Sequence, residues 1–482
     1  MIQRQSVSKN YIFQLTYQVL IFVFPLILSP YLTRTLQESS LGVYSYVNSI
    51  AYYFVVAANL GIAVHGKRLI SRFADHESAL RKSFWSLFLL HTAISIVAII
   101  AYAIFVLVIV DDDVSLYLIE GIYVASALFD ITWLFYGLEN FSSVVIRNTI
   151  LKVCEFVAIL LFVQQPQDLW KYTLISALSV FMGQLIMLPI AAKIVKPIRF
   201  GWDDITPHIK PLLVFSISVI AVTLYTVFDK TLLGIMTTKE NVAFYEYSNK
   251  IISIPKTFIS VTGTVLFPRA CKLAFDGEVE KQRDYMNISL FVVAFIGFGS
   301  IFGLLAIADQ FARIYLGESF AICGSIIKMM APLILIIGLG DVIRQQCMIP
   351  NGMDKQFNFC IMCNAIINLV FSVILIPFMG IYGAVIGTLA AEMFGMTYQI
   401  VLCKKYIKQA DVLKVTGALL CVGLIMFMAL CVLTKLIGQS AIGLLIKICI
   451  GAGIYCICTL IYIFAFNKPI WNLIVKKSNG NF

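Results

Sequence analysis

Charged residues are scarce in this sequence. Asp, Glu, Lys and Arg make up 13% of its 482 residues, whereas soluble domains carry about 25%. Apolar residues account for 60%, which leaves too few polar side chains to cover a water-soluble fold. The composition therefore excludes soluble, disordered, collagenous and nucleic-acid-binding proteins. The length instead suits many membrane-spanning helices, each of about 20 apolar residues.

Motifs that carry enzyme chemistry are also lacking. The sequence contains no Gly-x-x-x-x-Gly-Lys-Ser/Thr loop, no His-Glu-x-x-His motif and no legible Ser-His-Asp arrangement, and it has only four His. The Cys-x-x-Cys spacing at Cys360 and Cys363 lies in an apolar run with no second pair, so we interpret both as buried apolar residues. We expect no enzymatic activity, no cofactor and no metal.

A cleavable leader is not evident. The polar start up to Asn10 leads into an apolar run that lacks a small-x-small cleavage site. We expect the first span to be retained.

What the sequence does contain is a series of apolar runs separated by short polar breaks. The fourteen predicted spans are 11–33, 42–64, 83–110, 114–138, 144–163, 169–192, 211–235, 242–267, 285–308, 321–349, 358–378, 381–403, 415–437 and 442–466. The runs are continuous rather than alternating, so they predict an all-α integral membrane protein and not a barrel. No break is long enough for a sizeable soluble domain.

The basic residues are distributed unevenly between the two sides of this arrangement. If the N-terminus is cytoplasmic, 24 of the 36 Lys and Arg residues lie in inner segments and only 5 lie in outer ones. Because cytoplasmic segments are enriched in basic residues, we expect both termini inside and an even number of spans.

An internal repeat appears when the sequence is aligned with itself at an offset of 201 residues. Tyr44, Tyr46, Asn48 and Ile50 then fall on identical residues at 245, 247, 249 and 251. Each repeat holds six spans, so both copies insert in the same orientation with a cavity expected between them. We predict six-helix lobes at 1–200 and 201–403, followed by two further helices and a cytoplasmic tail at 404–482.

Several charges lie inside the predicted spans, where an unpartnered charge is costly and marks a candidate site. These residues are Glu120, Asp130, Lys152, Glu155, Asp229, Lys230, Glu246, Lys250, Lys256, Lys328, Asp341, Arg344, Glu392 and Lys447. Lys250 follows Glu246 by four residues, so the two share a helical face and can pair. We interpret Lys152 and Glu155 as a structural or an interfacial pair. Together with the absence of enzyme motifs, these charges favour a secondary transporter.

The sequence also resembles a known family. The stretch 129–141 resembles the Asp-x-x-Trp-x-x-x-Gly-x-Glu signature of bacterial oligosaccharide-lipid flippases. Residues 30–36 with 42–44 are similar to that family's first turn, and 228–230 and 380–384 are similar to its seventh and twelfth spans. At 37–38 the chain has Gln-Glu, where the family more often has Leu-Gly.

The resemblance implies the multidrug/oligosaccharidyl-lipid/polysaccharide exporter superfamily, with two six-helix lobes around a central cavity. The implied substrate is an undecaprenyl-diphosphate-linked oligosaccharide, moved across the bacterial inner membrane for lipopolysaccharide O-antigen or other surface polysaccharide. A polysaccharide polymerase and a chain-length regulator are the expected partners.

Particular residues suit this substrate. Arg34, Lys230 and Lys250 are candidates to neutralise the diphosphate, and Tyr44 and Tyr245 are candidates to contact the sugars. Asp229, Glu246, Glu392 and Asp130 are candidates for ion coupling. A drug/cation antiporter of the same superfamily and a membrane polysaccharide polymerase or ligase remain alternatives.

Overall fold

The computed structural model describes residues 23–407 and 409–466, and every regular element in these ranges is a helix. The predicted all-α fold is therefore confirmed. Apolar runs favour helices in a bilayer because a helix satisfies its backbone hydrogen bonds internally.

The first half of the chain contains nine helices within the described ranges. They are α1 (residues 23–35), α2 (Gln37–Asn59), α3 (Ile62–Phe73), α4 (Glu77–Val108), α5 (Val114–Ser126), α6 (Thr132–Gly137), α7 (Phe141–Phe162), α8 (Leu169–Ile194) and α9 (Trp202–Met236).

The second half contains eight more in the same described ranges. They are α10 (Lys239–Phe275), α11 (Val279–Phe311), α12 (Cys323–Met330), α13 (Pro332–Ile343), α14 (Asp354–Met379), α15 (Ile381–Leu402), α16 (Gln409–Leu436) and α17 (Ala441–Phe466).

The predicted spans and the helices correspond closely. Within the described residues, eleven helices are long and apolar enough to cross a membrane. Residues 11–22 of the first predicted span lie outside the described part, and α7 and α9 are not among the eleven. The count of fourteen thus stays a prediction.

Three spans that the sequence shows as continuous are broken in the structure, and one of them, the tenth, is divided between α12 and α13 at Ala331. The second is divided between α2 and α3 at Gly61, whose φ of 74° lies in the left-handed region that glycine tolerates. The fourth is divided between α5 and α6 at Asp130, where the backbone is extended. Hydrophobicity alone does not register these breaks because the flanking residues remain apolar.

Large apolar side chains cover the outer surface of the helices. Leu107 is 77% exposed and Phe378 is 84% exposed. Such a surface would drive aggregation in water but is the expected surface against lipid. The chain is a multi-pass membrane protein.

The chain divides into two compact units, one ending at Ala243 and the other beginning at Phe244. In the first unit, the core centres on Trp133, which stacks on Phe84 and fits against Gly66. In the second, α11, α16 and α17 share a core that includes Leu419 and Tyr455.

Helix α9 packs against α2, α3 and α4, and so belongs to the first unit. The repeat assigns the same residues to the second predicted lobe. The repeat boundary at residue 200 and the division by packing therefore differ by one long helix.

Candidate functional site

Asp229 lies on the face of α9 that packs against α2. Its side chain is 4% exposed and acts electrostatically on Tyr53. The Thr231 hydroxyl lies 3.0 Å from the Tyr53 hydroxyl and 3.3 Å from that of Ser49. These residues form a polar contact between the two helices, which we call the α2–α9 face. Lys230 follows Asp229 and is half-buried.

One end of the α2–α9 face is closed by a lysine. The Lys239 ammonium lies 3.2 Å from the centre of the Tyr46 ring and donates a 2.9 Å hydrogen bond to the Gly234 carbonyl. A Cβ at Gly234 would collide with the Tyr46 ring, and one at Gly42 would collide with the Lys239 backbone. Glycine is thus required at both positions, because α9 packs closely on the Tyr46 ring and α2 packs closely on the backbone at Lys239.

Tyr44 lies on α2 beside two carboxylates. Its ring packs 4.6 Å from that of Tyr172, and Glu120 and Glu155 act on it electrostatically. Glu120 is 1% exposed and accepts hydrogen bonds of 3.3 and 3.4 Å from the Asn48 amide. The sequence marked Glu120 only as an intramembrane charge. The recurrence of Asn48 as Asn249 in the internal repeat is the kind of sequence feature that indicates a polar contact at this position.

Arg34 and Asp130 make hydrogen bonds to backbone groups at the ends of helices. The exposed Arg34 guanidinium donates to the Pro30 carbonyl at 2.8 Å, within the last turn of α1. Asp130 accepts from the Thr132 backbone N–H at 3.0 Å and from its hydroxyl at 2.6 Å, at the start of α6. Asp130 therefore satisfies the first backbone N–H of α6, and its role in ion coupling stays a prediction.

In the second unit, Glu246 and Lys250 form the pair expected from their spacing. Their charged atoms lie 3.7 Å apart, longer than the roughly 2.7–2.9 Å of a charge-assisted hydrogen bond. The Lys250 ammonium also lies 4.3 Å from the centre of the Tyr247 ring. Lys250 is thus a partly exposed cation within a membrane-spanning helix, set against an aromatic face.

Tyr245 meets a polar pair on the last two helices of the predicted second lobe. It is buried, and its hydroxyl lies 3.3 Å from the Thr388 hydroxyl. The Asn368 side-chain amide donates to the Thr388 hydroxyl oxygen at 3.3 Å. The Tyr245 hydroxyl therefore belongs to a polar network joining α10, α14 and α15.

Glu392 belongs to a second charged group centred on Lys256. The Lys256 ammonium lies 3.5 Å from the Asn249 side-chain oxygen, and Glu392 and Asp341 act on it electrostatically. Asp341 in turn accepts from Arg344 at 2.7 Å. The sequence marks Lys256 only as an intramembrane charge, because the two carboxylates that face it lie on α13 and α15, far along the chain.

The ends of α8 and α9, outside the predicted spans, are fixed by aspartates. The Gly201 backbone N–H and the Lys82 ammonium, at 2.9 and 2.8 Å, hold the pKa of Asp204 below its usual value. Lys171, followed by the Gln164 backbone N–H, lowers the pKa of Asp168 in the same way. Both carboxylates cap helix starts, where negative charge is favourable.

The selected residues therefore occupy separate groups. The first unit holds the α2–α9 face and the Tyr44 group, and the second holds the Lys250, Tyr245 and Lys256 groups. Among the residues that the structure describes, no set of three or more His, Cys, Asp or Glu side chains is arranged to hold a metal ion.

Comparison with known proteins agrees with this architecture. A family model described as "Polysaccharide biosynthesis protein" matches residues 7–274, more than half of the chain. A putative O-antigen transporter of Shigella dysenteriae is 23% identical over 376 residues, which cover 77% of this chain and 93% of that protein. A protein of the same name from Escherichia coli (strain K12) is 20% identical, with coverage of 80% and 94%.

Solved structures share the fold at low sequence identity. Lipid II flippase MurJ in an inward closed conformation gives a TM-score of 0.77 at 16% identity and covers 94% of this chain and 99% of its own. An inward-facing multidrug resistance MATE family transporter of the MOP superfamily gives 0.60 at 13% identity, with coverage of 86% and 97%. The exporter fold implied by the sequence resemblance is thus confirmed, and the chain belongs to the polysaccharide biosynthesis protein family.

Proposed function

We propose that this protein is a secondary transporter that flips undecaprenyl-diphosphate-linked oligosaccharide repeat units from the cytoplasmic to the periplasmic leaflet, for surface polysaccharide biosynthesis. Its family membership supports this proposal, as do the two relatives named O-antigen transporters and the fold shared with a lipid II flippase. The work required is physical rather than catalytic, because a charged diphosphate and its sugars cannot cross hydrocarbon unaided.

The observation that carries the proposal is the setting of Lys250. An ammonium group in a membrane-spanning helix is costly unless it meets an anion or water. Glu246 lies at 3.7 Å, and the side chain of Lys250 remains 36% exposed. An incoming diphosphate can therefore take the place of Glu246, while the neighbouring Tyr247 offers an aromatic face.

Alternating access requires contacts that close one side of the protein and then separate. The α2–α9 face suits this role because its contacts are hydroxyl pairs and glycine-mediated close approaches rather than a large apolar core. In the proposed topology, this face with Lys239 forms the outer gate. Arg34, Lys230 and Tyr44 in the first half, with Lys250 and Tyr245 in the second, are the proposed substrate contacts.

Ion coupling is assigned to carboxylates inside the spans. Asp229 is buried on the α2–α9 face, and Glu246 and Glu392 each lie near a lysine. Each can exchange its present partner for a proton or a metal cation as the helices move. Asp130 remains the fourth candidate, alongside its contacts at the start of α6.

The proposed cellular setting follows from the charge distribution. We place the protein in the bacterial inner membrane with both termini cytoplasmic. The repeat at 1–200 and 201–403 supplies the two lobes, and 404–482 supplies the additional pair of helices and the tail. A polymerase and a chain-length regulator would receive the flipped units.

Replacing Lys250 tests the function. Lys250→Met should reduce surface polysaccharide at least about tenfold in cells that lack another flippase for the same units, with normal protein abundance. The matched control is Lys328→Met, because Lys328 is also intramembrane but is paired with Asp309 and is not a proposed substrate contact. Surface polysaccharide equal to wild type in the Lys250 variant would contradict the proposal.

A second measurement distinguishes the proposed flippase from the alternative of a drug/cation antiporter. Cells that carry the wild-type protein should display polysaccharide without a change in resistance to cationic drugs. Drug resistance that depends on this protein, with polysaccharide unaffected by its deletion, would favour the antiporter instead.

A further inference from the structure

Lys447 is an intramembrane cation that the proposed transport path does not use. Its side chain is fully buried in α17, and its ammonium donates a 2.7 Å hydrogen bond to the side-chain oxygen of Gln310 on α11. Gln310 is neutral, and the contacts of Lys447 in the described ranges include no carboxylate. A buried cation without a counter-charge is strongly unfavourable in hydrocarbon, so the site calls for an anion.

A partly open cavity of about 310 Å³ lies beside this lysine and is lined by α11, α16 and α17. It exists because small residues face each other there: Gly299 and Gly303 on α11, and Gly451 and Ala452 on α17. A Cβ at Gly303 would meet only the end of Met426, at 4.0 Å. Apart from Lys447, the walls are mostly apolar.

Lys447 lies at the end of the cavity nearer the start of α17, which is the end nearer the membrane surface in the predicted topology. Lys447 lies six residues after Ala441, or about 9 Å along the helix at 1.5 Å per residue. Gln310 also donates to the Ser440 carbonyl at 3.1 Å, in the link before α17. Lys447 therefore lies within about two turns of the start of α17, at a depth that a lipid phosphate can approach from that end of the helix.

We propose that this cavity binds an anionic membrane phospholipid, with the phosphate at Lys447 and part of one acyl chain between α11 and α17. The positive charge of Lys447 favours an anionic headgroup, and the apolar walls favour an acyl chain. At about 310 Å³, the cavity has room for a segment of acyl chain and is too small for a whole lipid. The lipid is a resident ligand of α16 and α17, separate from the transported substrate.

Lipid retention by the full-length protein tests the site. Native mass spectrometry would count phosphatidylglycerol and phosphatidylcholine bound to detergent-purified protein mixed with both. We expect wild type to retain phosphatidylglycerol preferentially and Lys447→Met to weaken that binding about tenfold. Lys171→Met is the matched control, because that lysine is already paired with Asp168.

A second variant leaves the lysine in place. Gly303→Leu fills the cavity and should displace the lipid while Lys447 remains, so it tests the acyl-chain position independently of charge. Equal retention of phosphatidylglycerol by wild type and both variants would overturn the proposal, as would equal retention of the two lipids by wild type.

Thermal unfolding provides a second test that does not depend on counting bound lipids by mass spectrometry. Phosphatidylglycerol should raise the Tm of wild type and not that of Lys447→Met. The same rise with inorganic phosphate alone would overturn the lipid assignment. None of these measurements requires transport, so their failure would leave the proposed function standing.

Discussion

The Asn48 side-chain amide lies 3.3 and 3.4 Å from the two carboxylate oxygens of Glu120, which is almost wholly buried. The amide comes from α2 and the carboxylate from α5, so this contact joins two helices of the first unit. A buried polar group that loses its partner costs about 1–3 kcal/mol.

Asn48→Ala should therefore lower the stability of the protein by about that amount, seen as a lower Tm of purified protein. Asn48→Ala combined with Glu120→Gln should lose less than the sum of the two single changes, because the coupled pair is already broken. Asn59→Ala is the control, since its amide bonds only to Val55 on its own helix. Strict additivity in the double variant would show that the pair does not contribute.

Close packing at Gly234 predicts a specific steric effect. The Cβ of Gly234→Ala would overlap with the Tyr46 ring, so this change should destabilise the α2–α9 face by about 1–3 kcal/mol. Adding Tyr46→Leu should recover part of the lost Tm. Gly417→Ala is the matched control, because nothing lies within 4 Å of the new Cβ on that helix. A Tm for Gly234→Ala equal to that of the control would refute the close approach.

Lys256 is expected to hold two carboxylates in place. Lys256→Met removes the cation that faces Glu392 and Asp341, and should lower stability by about 1–3 kcal/mol. Adding Glu392→Gln should restore part of the loss, because the carboxylate that faced the removed cation is then neutral. Lys281→Met, at an exposed pair with Glu278, should change the Tm little. A double variant less stable than Lys256→Met would contradict the assignment.

Asp204 predicts a pH effect at the start of α9. Its pKa is lower in the folded protein than in the unfolded chain, so its contribution to stability is present above the unfolded value, about 3.9. The contribution is lost as the pH falls through the folded pKa. Asp204→Asn should therefore lower the Tm at neutral pH and converge with wild type in acid. Asp203→Asn should follow wild type throughout, and a parallel acid profile for both variants would contradict the prediction.

The helices could be predicted from the sequence because long apolar runs leave few alternatives in a bilayer. Their interruptions could not. The break at Gly61 depends on one backbone angle, and the break at Asp130 depends on a local hydrogen bond, neither of which changes hydrophobicity.

The candidate site was only partly accessible to the same reasoning. The pair of Glu246 and Lys250 follows from helical spacing, and the structure places the two within 3.7 Å. Lys256 and Glu392 are more than 130 positions apart, and no local pattern connects them. Contacts between distant helices depend on packing, which one sequence without its relatives does not encode in a readable form.

The placement of α9 bears on how the chain can be divided into fragments. A gene cut at the repeat boundary, after residue 200, would make an N-terminal fragment whose α2 lacks its covering helix. A cut between α9 and α10, at Thr237 or Thr238, would leave α9 on the surface where it packs. Coexpressed halves divided at the later point should reassemble more efficiently, although the predicted repeat divides the chain at residue 200.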